Sequence, residues 1–161
     1  MKKGVIKTLF LLLILVILIY NPLSARLFTL AIAIIYDLDV QLFYNLVKVE
    51  SSFRSLAISK KGAIGLGQIM PSTAKYIIPK IPVILLWCPI VNLITAAKYI
   101  KYLLAKYNHN WSIALAAYNW GETNVDKKIK NLQINTDKKY KNIFKDIPES
   151  YSYINKIMHA E

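Results

Sequence analysis

Val40-Gln41-Leu42-Phe43-Tyr44-Asn45-Leu46-Val47-Lys48-Val49-Glu50-Ser51 places Phe43, Leu46, Val47 and Glu50 at i, i+3, i+4 and i+7. That spacing puts all four on one face of a helix. Asp39, immediately before, is a good N-cap, so a helix is predicted from Val40 to about Ser51. Three apolar residues on that face direct it inward, and Glu50 goes with them. A carboxyl there loses water, which favours the neutral acid near pH 7. The plainer reading of Glu50 is a rim carboxylate paired with Lys48 or Lys75.

Outward from this helix the pattern stays helical. Leu27 to Tyr36 is apolar and helix-compatible. Ser55 to Gly67 carries three glycines and no clean period, so it reads as loop. Pro71-Ser72-Thr73 opens a short helix to Ile78, and prolines make 79–90 irregular. Asn92 is placed as the cap of a helix to Tyr107. Asn110 caps another from Trp111 to Tyr118, stopped by Gly121. A short helix over 123–131 and a last one from Pro148 to about His159 complete the chain. The expected class is all-α, one small domain behind an N-terminal hydrophobic segment.

The chain has 161 residues, enough for one domain, and 55% of them are hydrophobic. Intrinsic disorder is excluded. Cys88 is the only cysteine, which excludes an internal disulfide or a cysteine-built zinc site. The two histidines, His109 and His159, lie far apart, so a His-rich metal site is not expected. The net charge is +12, and 19 of the 21 basic residues are lysine. Two readings stand: codon bias on a solvated surface, or attraction to an anionic wall, lipid or nucleic acid. The most basic stretch, 126–145, holds seven lysines.

Apolarity concentrates at the start. Lys2, Lys3 and Lys7 precede an unbroken apolar run from Leu9 to Tyr20, which Asn21-Pro22 ends. This is the pattern of an export signal, with the N-terminus left in the cytoplasm. The expected division is 1–24 as signal peptide or membrane anchor and 25–161 as the working domain. Leu23-Ser24-Ala25 is a poor cleavage site; Ala31-Ile32-Ala33 fits better but lies well beyond the run. A cleaved signal and an anchor over residues 5–20 in the inner membrane both stay open. Either fate puts the domain on the periplasmic or cell-wall side.

Two further segments join Glu50. Gly65-Leu66-Gly67-Gln68-Ile69-Met70-Pro71 sets two glycines beside a Gln and a Met. Glycines allow close backbone approach, and Gln offers a donor and an acceptor to an amide or sugar hydroxyl. Ala114 to Gly121 packs small residues, then presents Tyr118, Asn119 and Trp120 at a helix end, good tools for gripping a sugar. A protonated Glu50 in such a cleft is what a general acid needs to protonate a glycosidic oxygen.

Val49-Glu50-Ser51-Ser52-Phe53, Ser59 with Gly62 to Pro71, Ala116 to Gly121, and Glu149-Ser150-Tyr151-Ser152-Tyr153-Ile154 occur in that order. Together they resemble the soluble lytic transglycosylase family, the goose-lysozyme-like catalytic domain acting on peptidoglycan. The resemblance covers about residues 27–158. It implies a lysozyme-like fold with Glu50 as the single catalytic acid and base and no metal or organic cofactor. Ser59, Gln68, Met70, Tyr118 and Asn119 would line the sugar cleft, and Tyr153 would stand beside Glu50. Gly67, Lys60, Trp120 and Tyr151 depart from the family pattern and bear on cleft width.

The implied reaction cleaves between N-acetylmuramic acid and N-acetylglucosamine and closes a 1,6-anhydro ring. Glu50 acts as acid and then as base. A hydrolytic muramidase with a second carboxylate, Glu122 being the nearest candidate by motif, is the alternative. A non-catalytic peptidoglycan-binding protein is a third reading. The implied partner is the peptidoglycan glycan strand, with the membrane met through the N-terminal segment and no nucleic acid. General wall turnover and local opening for a secretion or conjugation apparatus both fit.

Overall fold

In the computed structural model, which describes residues 2–132 and 141–159, the chain is all-α. The helices are α1 Lys2–Tyr20, α2 Pro22–Ile35, α3 Val40–Ser51, α4 Pro71–Ile77, α5 Pro89–Lys106, α6 Trp111–Trp120, α7 Glu122–Leu132 and α8 Pro148–Met158. Short 3-10 turns cover Val83–Trp87 and Lys141–Phe144. Among the described residues the extended pairing is confined to isolated bridges that join Ile64 to Ile58 and to Ile69. Lys138 and Lys139 of the basic stretch lie outside the described residues.

α3 forms where its pattern places it. The Asp39 carboxylate accepts from the Leu42 amide at 2.9 Å, and Ser52 closes the helix at a left-handed φ of 52°. Phe43, Leu46 and Val47 are fully buried. Each stabilises the fold by about 1.5–3 kcal/mol. Buried Asn45 donates to the Ile157 carbonyl at 2.9 Å and thereby fixes α3 against α8. An asparagine inside a helix is poor for propensity, and this tie is its compensation.

α6 is the hub. Ala114, Leu115, Ala116 and Ala117 are completely buried. The small volumes of the three alanines let α5, α7 and α8 close around one helix. Asn110 caps α6 through the Ile113 amide, and Gly121 at φ 94° ends it.

One sequence assignment is corrected. α5 begins at Pro89, so Asn92 lies inside the helix and caps nothing. Proline is well suited to a first helical turn because its missing N–H is not needed there. Asn92 is instead wholly buried. Its Oδ1 accepts from the Gly67 amide at 2.8 Å, and its Nδ2 donates to the carbonyls of Ile64 and Leu86 at 2.8 and 2.9 Å.

α2 starts earlier than the apolar pattern indicates, because Asn21 caps it: the side chain accepts from the Ser24 amide. Ala25, Thr29, Ile32 and Ala33 are buried against the domain, where α2 packs on α3 and α5. No single described helix is long and apolar enough to cross a membrane. The pair Gly4–Tyr20 and Pro22–Ile35 meets the length and composition test together, bent by 61°.

Candidate active site

Glu50 sits on the last turn of α3 at the wall of a cleft of about 370 Å³. Ser59, Gln68, Met70, Tyr118 and Asn119 line the same cleft. Tyr153 stands behind the carboxyl and donates to Glu50 Oε1 at 2.5 Å. The structure therefore brings together the seven residues that the family resemblance implies for the site. The partner of Glu50 is a phenol rather than Lys48 or Lys75.

Burial pushes the Glu50 carboxyl up to about 7, and the Tyr153 hydrogen bond pulls it partly back. The Tyr118 and Tyr153 hydroxyls are held well above their usual range, by burial first and by the neighbouring Glu50 charge second. Both stay neutral donors. The result is one carboxyl poised between acid and base, with a hydroxyl fixed on it.

The loop wall is built by backbone pairing. The amides and carbonyls of Ile64 and Ile69 exchange bonds at 3.0 Å in both directions, and Gly65 N donates to Ala57 O at 2.8 Å. The Ser59 hydroxyl accepts from the Ala63 amide at 3.0 Å, so it shapes the loop as well as lining the cleft. Gln68 donates through Nε2 to the Gly65 carbonyl at 2.9 Å. That leaves Gln68 Oε1 as the acceptor for a ligand hydroxyl or amide. Tyr118 Oη donates to the Gly67 carbonyl at 2.7 Å, and Ser150 Oγ donates to Asn119 Oδ1 at 3.1 Å. The Asn119 amide N–H groups are the complementary donors.

Two glycines are forced by space. A Cβ on Gly65 would sit 2.3 Å from Asn92 Nδ2, and φ there is +75°. A Cβ on Gly67 would meet the Ala96 Cβ at 2.6 Å and the Tyr118 hydroxyl at 3.1 Å. Gly67, a departure from the family pattern, thus fits this chain's Ala96 and Tyr118.

Glu122 is elsewhere. It lines a separate cavity of about 330 Å³ with Tyr76 and Tyr99. Its Oε1 accepts from Tyr102 Oη at 2.9 Å and from Lys106 Nζ at 2.6 Å, and Lys106 also reaches Asp126 at 2.6 Å. The second carboxylate in the Glu50 cleft is Glu149, exposed in the first turn of α8, with Lys60 and Lys61 on the same wall. The fold around residue 149 depends on long-range packing of α8, which local pattern does not disclose. Among the described residues no three His, Cys, Asp or Glu side chains converge as a metal site would.

An all-helical lysozyme-like domain with a lifted carboxyl in a polar cleft defines the class. The chain belongs to the Transglycosylase SLT domain family, whose model matches residues 30–142. It is similar to lytic transglycosylase Slt from Pseudomonas aeruginosa, solved as an inactive glutamate-to-glutamine variant. That match has a TM-score of 0.71 and 29% identity over 85% of this chain and 23% of that one. The 70 kDa soluble lytic transglycosylase in complex with bulgecin A shares the fold, with a TM-score of 0.71 and 24% identity over 85% of this chain and 23% of that one. A curated relative from Alteromonas sp. (strain M-1), named for tributyltin chloride resistance, is 33% identical over 90 residues, 53% of this chain. The chain spans 42% of that relative's length.

Proposed function

We propose that this protein is a peptidoglycan lytic transglycosylase that cleaves the bond between N-acetylmuramic acid and N-acetylglucosamine. The observation that carries the proposal is the partly buried Glu50, with its carboxyl raised to about 7 and Tyr153 hydrogen-bonded to it in the cleft. Near neutrality such a group can give up a proton and take one back. Glu50 protonates the leaving glycosidic oxygen. The substrate's own acetamido group stabilises the positive charge at carbon 1. Glu50, now anionic, removes the proton from the muramic carbon-6 hydroxyl, whose oxygen attacks carbon 1 and closes the 1,6-anhydro ring. Gln68 and Asn119 supply an acceptor and a donor to the sugars, and Ser59, Met70 and Tyr118 shape the wall. A relative solved in inactive form through a glutamate-to-glutamine change supports an essential glutamate in this fold.

Residues 1–24 are read as the membrane-targeting segment and 25–161 as the catalytic unit on the periplasmic side. Retention of α1 as an anchor is favoured over cleavage. The better cleavage pattern, Ala31-Ile32-Ala33, lies inside α2, and cutting after it would remove core residues Ile32 and Ala33 with the helix.

Hydrolysis is the second reading, and Glu149 on the cleft wall is what favours it, since it could position water. Mass spectrometry of the muropeptides released by the full chain in mild detergent separates the two. Anhydro ends are expected; reducing ends alone would overturn the lyase reading.

A further inference from the structure

Among the described residues the outward face of α2 has no protein partner, although its inner face belongs to the core. At about 100° per residue, Leu23, Leu27, Leu30, Ala31 and Ile34 fall within an arc of about 100°. Leu23, Leu27 and Ile34 are 65%, 57% and 69% exposed, and Ile35 beside them is 72% exposed. Ala25, Thr29, Ile32 and Ala33 occupy the opposite side, packed into the domain. A core helix with a second apolar stripe needs a second apolar partner.

The neighbouring helix says what that partner is. From Leu9 onward α1 is apolar all round, with Leu9 to Val16 among its exposed residues. Its Gly4–Tyr20 stretch reaches only about 25 Å, less than the hydrocarbon core of about 30 Å. α2 cannot complete the span, because Ile32 and Ala33 would have to leave the core. The only residue between the two helices is Asn21, and it is fixed. Its Nδ2 donates to Leu18 O at 2.7 Å and to Ser24 Oγ at 3.0 Å, while its Oδ1 accepts from Ser24 N. The 61° corner is therefore stapled, and with α1 along the bilayer normal α2 lies about 30° from the membrane plane. The charges agree. Residues 1–36 hold Lys2, Lys3, Lys7 and Arg26 and no acid, and the first acids, Asp37 and Asp39, follow where the stripe ends. Lys101 donates to the Tyr36 carbonyl at 2.8 Å, which adds a cation at that end.

We propose that the outward stripe of α2 lies on the lipid surface of the membrane that α1 enters, so that the domain is seated on the bilayer by its own core helix, without a linker. This rests on the reading of α1 as a retained anchor. A domain so seated works on glycan held close to the membrane.

The test uses the full chain with Cys88→Ser, labelled with an environment-sensitive NBD fluorophore at Leu27→Cys, Ile34→Cys or Lys156→Cys. Each is reconstituted in phosphatidylethanolamine–phosphatidylglycerol vesicles carrying a shallow nitroxide lipid. Labels at 27 and 34 should shift to the blue and be quenched several-fold more than the label at 156, which sits exposed on α8. Equal quenching at all three sites, or failure of the chain to float with the vesicles, would overturn the proposal. A blue shift at 27 and 34 that grows with protein concentration in lipid-free detergent would overturn it too, in favour of a second copy. Leu27→Glu with Ile34→Glu should cut quenching of a label at exposed Ala31→Cys several-fold while leaving glycan cleavage in detergent unchanged. Cleavage is scored on the same samples, so failed chemistry and failed seating are told apart.

Discussion

Glu50 and Glu122 are the same side chain set in opposite surroundings. Glu50 is held in a cleft with a phenol for a partner, and its carboxyl rises to about 7. Glu122 shares an ammonium with Asp126 and takes a second bond from Tyr102. Burial lowers Lys106, but its bonds to Asp126 and Glu122 outweigh this and the net shift is upward, so the ammonium stays charged. Desolvation without a counter-charge makes a movable proton; a counter-charge makes a strut. The cavities beside the two groups are linked by a third of about 210 Å³, which shares Gln68 and Tyr118 with one and Thr73 and Tyr99 with the other. Position in the groove does not separate the roles; the partner does.

The sharpest way to break this contrast is Glu50→Gln. The variant keeps shape and a hydrogen-bonding group but loses the transferable proton. Turnover should fall by about 10²–10⁴-fold. The folded protein holds a proton on Glu50 that the unfolded chain releases between the ordinary value of 4.5 and about 7. This group's stabilising contribution is therefore complete below 4.5 and is lost as pH rises through 7. Glu50→Gln should remove that decline, seen as a flatter dependence of Tm on pH between 5 and 8. A folded Glu50→Gln chain that releases muropeptides at the wild-type rate would end the assignment.

Tyr153→Phe tests the partner alone. The hydroxyl lowers the Glu50 value, so its loss should raise it. The alkaline limb of kcat/KM should move to higher pH, and turnover should drop by about tenfold or somewhat more, the worth of one hydrogen bond to a charged group. An unmoved alkaline limb would mean that Glu50 does not set it.

Much of the Glu50 side is legible in the sequence, because its determinants are local. The 3.6-residue period of α3, the glycines of the loop and the Gly121 stop each act within one turn. The ties of Asn92 to Gly67 and Ile64 and of Asn45 to Ile157 are not legible, since these partners lie 25, 28 and 112 residues away. A polar residue in the middle of an apolar helix was the available signal. Glu149 reaches the cleft only through the packing of α8 against α3 and α6, which no window of sequence reports. Gly67 reads as a departure until Ala96 and the Tyr118 hydroxyl are seen to occupy the space its side chain would need.

Asn92→Ala should damage the Glu50 side and spare the other. It strips partners from the Gly67 amide and from the Ile64 and Leu86 carbonyls, all at a buried site, although the Ile69 amide still serves Ile64. Unsatisfied buried groups cost about 1–3 kcal/mol each and do not add simply, so a loss of about 2 kcal/mol is expected in urea titration. The loop carrying Gln68 should also loosen, read as faster amide exchange at Ile64 and Ile69 than in α7. Equal loosening of α7 would erase the distinction between the two regions.

Glu122→Gln carries the smallest expected effect and decides whether the contrast is real. Its bridge to Lys106 is partly exposed, with side chains 28% and 25% accessible. Pairs of that kind contribute at most about 1 kcal/mol. Gln keeps an oxygen for Tyr102, and Asp126 keeps Lys106 anchored, so the loss of stability should be at or below that bound. Adding salt should shrink it further, because screening weakens the wild-type pair while the variant has no such pair to lose. Activity should stay within about twofold of wild type, since the mechanism draws no proton and no water from this carboxylate. A Glu122→Gln chain that folds, keeps its Tm and is nevertheless as inactive as Glu50→Gln would make Glu122 a second catalytic carboxylate. The product would then be expected to carry reducing ends, and the ion pair with Lys106 would have to open during turnover.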